Sequence, residues 1–248
     1  DQTEVKLTVD GLLTNQMKNH VVKLRTSIDF YGDEIPYVEN ANVQVIDEAG
    51  VVYTYTHNPE AVDSLKGYYF SDNAYQGQVG QAYTLNILFN EMNFSATDTL
   101  RPVSEIDSLG IQVDQRALNE DDNEGEIYQV VLYANEPPET KDFYYFRFYR
   151  DSLPESSTNV YVFDDVAIGS LDGLPSPILF KEGELAGVEI YSLTREQFVY
   201  FTDLSNILNN DGGLFSPPPA NPRTNISNGA LGHWQVSAVT TASILIEP

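Results

Sequence analysis

Residues 83–97, YTLNILFNEMNFSAT, decide the fold class. Tyr83, Leu85, Ile87 and Phe89 fall at every second position, the period of a strand with one buried face. Asn90-Glu91 turns the chain and Met92–Thr97 brings it back, which predicts a hairpin. Upstream, Val5, Leu7 and Val9 alternate with Lys6, Thr8 and Asp10, and Gly11 is expected to end or bulge that strand. Asn15–Asn19 reads as a polar turn, after which Val22 and Leu24 resume the alternation. Asn42–Asp47 and Val51–Thr56, joined by Glu48-Ala49-Gly50, predict a second hairpin. Short strands at this spacing predict a β-sandwich over residues 1–100.

The texture changes at Arg101–Ser108, the expected boundary with a second domain at 101–248. Strands are predicted at Ile127–Tyr133 and Phe143–Tyr149. The latter places Tyr144, Phe146 and Phe148 on one face and Phe143, Tyr145, Arg147 and Tyr149 on the other, as in a central strand covered on both sides. One segment, 194–209, reads as helix. Thr194 and Gln197 fit a capping box, and Phe198, Phe201, Leu204 and Leu208 form a stripe at helical spacing, suited to core packing or to a ligand groove. Asn209–Gly213 stops it. A Pro/Asn/Gly-rich tail loop at 216–232 follows, and Ser237–Glu247 closes the chain as one or two strands. The expectation is an all-β protein of two β-sandwich-like domains, Ig-like or transthyretin-like, the second carrying the one main α-helix and the tail loop.

Composition narrows the partners. With 37 acidic against 13 basic side chains the net charge is −24, so nucleic acid and anionic membrane are excluded as general partners. Hydrophobic residues make up 42% and charged ones 20%, a folding composition. The absence of Cys excludes disulfides, thiolate zinc sites and a cysteine nucleophile. No apolar run reaches the ~18 residues of a spanning helix. The first residue, Asp1, reads as a processed or trimmed terminus, and Asp1-Gln2-Thr3 as a polar tether leading into Val5.

Catalytic patterns are lacking. There is no Gly-x-Ser-x-Gly elbow, and His20, His57 and His233 are scattered through the chain in no motif. Gly77-Gln78-Val79-Gly80 lacks the Lys-Ser/Thr of a phosphate loop and reads as a turn. The expectation is therefore no catalytic residues, no catalytic metal and no cofactor. A structural calcium ion is the one candidate left open, with Asp121, Asp122, Asn123 and Glu124 as the acidic cluster and Asp164-Asp165 as another. Consecutive acids cannot all face one ion.

Two stretches carry a family resemblance. Ser216–Gly232, SPPPANPRTNISNGALG, closely resembles the carboxy-terminal signature of DUF4249, a Bacteroidota outer-membrane lipoprotein family of unknown function, and Glu4–Asn15, EVKLTVDGLLTN, resembles its opening strand. Ala41–Asp47, Tyr75–Thr84 and Phe143–Tyr149 follow in the family's order. The resemblance implies a lipidated Cys just before the opening strand, hence an N-terminal lipid anchor in the outer membrane at the cell surface or its periplasmic side. It also implies a neighbouring TonB-dependent transporter as partner, and it supplies no catalytic residues.

On that basis the leading expectation is a non-enzymatic lipoprotein accessory to such a transporter in nutrient binding or uptake. The alternatives are an adhesin, fimbrial or structural module, and a glycan-processing enzyme. Asn225, Asn228 and Gly229 tolerate positive φ, so Thr224–Gly232 is expected to make tight turns that either lock against the core or face a partner. His233 and Trp234 are the candidate partner-binding anchor; the competing expectation is that Trp234 packs inward. Finally, Ser64, Thr99, Ser108 and Ser152 each sit in an Asp-Ser/Thr-Leu triplet that resembles an O-glycosylation motif of exported Bacteroidota proteins.

Overall fold

The computed structural model describes residues 5–27, 36–119, 124–135, 141–154, 159–209 and 221–247. In chain order its strands are β1 (Leu7–Thr14), β2 (Val21–Thr26), β3 (Asn42–Asp47), β4 (Val52–His57), β5 (Tyr68–Ser71), β6 (Ala82–Phe89), β7 (Met92–Thr99), β8 (Ile106–Val113), β9 (Tyr128–Ala134), β10 (Phe143–Arg150), β11 (Leu153–Pro154), β12 (Tyr161–Asp164), β13 (Leu174–Pro175), β14 (Leu185–Leu193), β15 (Leu231–Ser237) and β16 (Val239–Leu245). Two α-helices complete the described residues, the one-turn α1 (Asp165–Ile168) and α2 (Arg195–Leu208). The protein is all-β.

The chain forms two compact units that differ from the expected division. Unit 1 comprises residues 1–102 and 194–238, and unit 2 comprises 103–193 and 239–248. The first crossing, between Pro102 and Val103, falls inside the expected boundary. The helix and the tail, however, return to unit 1 instead of completing a domain at 101–248. The cause is a pairing with no local trace: β15 lies parallel to β1, from Thr8↔Leu231 to Thr14↔Ser237.

Unit 1 is built on an eight-stranded sheet in the order β15-β1-β2-β5-β4-β3-β6-β7. The hairpin at 82–99 forms as predicted, with Asn90 and Glu91 both at positive φ in its turn. Val9, Leu24, Val45, Leu85 and Val236 are fully or almost fully buried. The sheet curls until its two ends meet: Asp98 on β7 accepts from the Val236 N–H of β15 at 3.0 Å, and the indole Nε1–H of Trp234 on β15 donates to the carbonyl of Tyr83 on β6 at 3.0 Å, six places away in strand order. Gly11 does not end its strand. It stands opposite Trp234 in the β1–β15 ladder, and a Cβ there would lie 2.7 Å from the indole ring. Gly232 is equally constrained, at φ +89° and with a Cβ position 1.8 Å from the Val9 carbonyl oxygen.

Helix α2 starts at the predicted capping box. The Gln197 N–H donates to Thr194 Oγ1 at 3.3 Å, and the Thr194 N–H donates to Gln197 Oε1 at 2.6 Å. The stripe of Phe198, Phe201, Leu204 and Leu208 is not fully buried; Leu208 is 43% exposed. The buried side chain of this helix is polar Gln197.

Unit 2 holds a second core between two sheets, β11-β10-β14-β16 with β12 beside β10, and β13-β9-β8. Tyr144, Phe146 and Phe148 face Val130 and Leu132 across it, with Leu171, Phe180 and Ile190 buried among them. Strand β10 is interior to its sheet, as its two-faced pattern requires.

Candidate binding site

The tail signature is structural. Asn225 lies in no strand, and its side chain pairs with the backbone of β15: Oδ1 accepts from the Trp234 N–H at 3.0 Å, and Nδ2 donates to the Trp234 carbonyl at 2.8 Å. Ser227 covers the backbone edge of β7. Its N–H donates to the Ser95 carbonyl, and its Oγ accepts from the Ser95 N–H, each at 2.8 Å. Asn228 and Gly229 take the expected positive φ, and the Asn228 amide donates to the Asn93 carbonyl. Asn225 differs from the expectation, since it works through its side chain. The segment thus locks against the core and closes the seam between β15 and β7. Ser216–Ala220, like Asp1–Thr3 and Asp121–Asn123, lies outside the described residues.

Burial corrects the proposed anchor. Trp234 is 0% exposed and His233 5% exposed, so neither can meet a partner. The indole is among the largest fully buried side chains of unit 1. His233 stacks on Tyr200 of α2 at 4.6 Å and 20°, and neither ring nitrogen has a hydrogen-bond partner among the described residues.

A buried carboxylate completes the seam. Asp98 Oδ2 accepts from the Val236 N–H at 3.0 Å and from the Gln197 amide, while Oδ1 accepts from the Thr99 N–H at 2.9 Å. Burial pushes its carboxyl up to about 7, against the backbone donors at Val236 and Thr99 that favour the charged form. This residue joins β7, β15 and α2. In the sequence it was legible only as the first member of a glycosylation-like triplet.

The histidines are all accounted for. His20 is buried, with Nε2 2.9 Å from the Tyr75 carbonyl, and burial lowers it to about 4. His57 Nε2 accepts from the Gly67 N–H at 3.1 Å. Burial holds His233 down to about 3. Between pH 6.5 and these values the unfolded chain binds protons that the native protein refuses, so stability is complete above 6.5 and falls on acidification. Asp98 acts in the opposite sense, because the native state keeps its proton between about 4 and 7. His233→Phe keeps the stack on Tyr200 and removes one titration. Its stability advantage over the parent should grow by about 2 kcal/mol between pH 6.5 and pH 5. Urea melts at both pH values check this; a constant difference would mean that His233 protonates normally in the native protein.

Two polar-aromatic clusters stand out among the described residues. On unit 1, Asn19, Thr56, Asn58, Glu60, Phe70 and Asp72 line a groove of about 500 Å³. Strand β5 presents half-buried Phe70 there, its ring 6.3 Å from and nearly parallel to that of Tyr68. Thr56 Oγ1 donates to Asp72 Oδ1 at 2.6 Å, and the Asn19 amide donates to the Ser71 carbonyl at 2.5 Å, which fixes the polar wall. An apolar ring beside carboxylates, amides and a hydroxyl suits a polyhydroxylated ligand. On unit 2, the non-core face of β10 and β14 carries Tyr145, Arg147, Tyr149, Glu189 and Tyr191. Both Tyr149 and Tyr191 hydroxyls donate to Glu189 Oε2, at 2.6 and 2.7 Å, and the Arg147 guanidinium lies 5.7 Å from the Tyr149 ring centre. The two-faced aromatic pattern of 143–149 was the signal for this cluster.

Among the described residues no group of three or more His, Asp or Glu could hold a metal ion. Asp164 of the second acidic pair instead caps α1, accepting from the Ala167 N–H at 2.8 Å. No described helix is long and apolar enough to cross a membrane.

The model of a domain of unknown function, DUF4249, matches residues 1–243. The chain belongs to the DUF4249 family. No curated protein matches it. The match includes residues of both DUF4249 units and the whole tail that closes the seam, and ends within β16.

Proposed function

We propose that this DUF4249 protein is a non-catalytic, lipid-anchored outer-membrane protein of a Bacteroidota cell that binds a nutrient for a TonB-dependent transporter. The groove around Phe70 carries the binding part of this reading: it offers an aromatic face and a fixed polar wall, with no described histidine along it. The anchor and the transporter rest on the family resemblance. Strand addition, which an adhesin would use, is disfavoured in unit 1 because the tail covers the edge of β7. The test is affinity capture of the tagged protein from native outer membranes, with mass spectrometry of what comes with it. Recovery of a transporter supports the proposal, and repeated recovery without one overturns it.

The same setting predicts modification. Ser64 lies in an exposed 3-10 turn, Ser108 on the outer strand β8 and Ser152 in the turn after β10, and all three are exposed. Thr99 is half-buried beside an Asp98 already committed to the seam. Glycans are therefore expected on Ser64, Ser108 and Ser152 and not on Thr99. Intact mass of protein expressed in its native host, followed by peptide mapping, checks this; a bare polypeptide mass refutes it.

A further inference from the structure

Unit 2 contains a partly open cavity of about 140 Å³ that the groove on unit 1 does not involve. Its inner wall is buried Val130, Leu132, Phe146, Phe148 and Val188; exposed Ala167, Pro175 and Pro177 stand at its rim. Among the lining residues one side chain is polar, Ser176, and its hydroxyl is engaged as donor and as acceptor. Its Oγ donates to the Ile178 carbonyl at 2.7 Å and accepts from the Val130 N–H at 3.1 Å. The backbone is spent too: the Val130 carbonyl accepts from the Ser176 N–H at 2.7 Å, and the Leu132 carbonyl accepts from the Gly173 N–H at 2.8 Å. A water molecule needs two to four polar partners, and the donors of Ser176 and of the Val130 backbone that line this wall are already paired.

The cavity is also held open. Pro175 and Pro177 fix the backbone on either side of Ser176, and that residue is pinned to β9 by both its N–H and its hydroxyl. The opposite wall rests on β10, where the rings of Phe146 and Phe148 lie nearly parallel at 6.4 Å. Phe163 meets Phe146 edge-on at 6.0 Å, so an entering ring would find both faces and edges. An enclosed apolar cavity of about 150 Å³ accepts benzene, and this one, open at its rim, is of similar volume and lining.

We infer that the unit 2 cavity is a binding site for a single small, neutral aromatic molecule of about the size of benzene or toluene. The experiment uses the full chain and toluene as the probe. Toluene at about tenfold above its Kd should raise Tm by about 3 °C in a saturable way. Val188→Phe fills the floor and Ala167→Phe plugs the exposed rim; each should abolish the shift. Methyl NMR of the unchanged protein supplies a second measurement that does not depend on a filled core folding, with toluene expected to move the Val130, Leu132 and Val188 resonances. No saturable shift, a shift that survives in a folded filled variant, or resonance changes confined elsewhere would each overturn the inference.

Discussion

Trp234→Ala is expected to destabilise unit 1 by about 4 kcal/mol, the usual cost of truncating a fully buried large aromatic side chain. The loss includes the hydrogen bond from Nε1 to the Tyr83 carbonyl, which ties β15 to β6 across the curled sheet. Gly11 gives the experiment a second arm. Gly11→Ala alone should cost about 1–3 kcal/mol, because its Cβ would press on the indole ring. In the Trp234→Ala background the same change should be neutral or stabilising, since the obstructing ring is gone. Denaturant melts followed by far-UV circular dichroism measure the four corners of this cycle. Additive effects would show that Gly11 and Trp234 do not share the space that the β1–β15 register assigns them.

Asp98→Ala should cost about 4 kcal/mol, because it strands the Val236 N–H and the Gln197 amide in the interior at about 1–3 kcal/mol each. Asp98→Asn should be milder, since its one carbonyl oxygen can still take the place of Oδ2 and leave the half-buried Thr99 N–H to compensate. Gln197→Leu tests the other side of the contact. In a parent with Asp98 intact it should be clearly destabilising, and in Asp98→Ala less so, because only the bonds to the Thr194 N–H and the Val236 carbonyl are then lost. Equal costs in both backgrounds would mean that the carboxylate and the amide act independently.

Much of the strand pattern was legible because alternation is a local property. The hairpins at 42–57 and 82–99, the two-faced strand at 143–150 and the capping box at Thr194 each depend on residues a few positions apart. The helix shows where that reasoning stops. Its apolar stripe suggested how it packs, whereas the side chain that anchors it is Gln197, which a capping box explains completely without reference to anything beyond the helix. A residue with two jobs reveals only the local one. Asp98 is the same case, because a carboxylate in an alternating strand reads as surface until its two distant donors are known.

The amino-acid sequence by itself determined that this is an acidic, cysteine-free, all-β chain whose tail carries a family signature, for those properties live in composition, period and motif. Only the tertiary structure decided which unit owns the tail, because β15 pairs with a strand more than two hundred positions earlier and leaves no periodic mark of doing so. It likewise decided that Trp234 is core and not an anchor. A lone aromatic in a strand has two faces to choose from, and the choice fell inward because Gly11 leaves a space of the right depth opposite it. The unit 2 cavity belongs to the same class: its walls come from strands and turns whose side chains look like ordinary core until two sheets and a pair of prolines hold them apart.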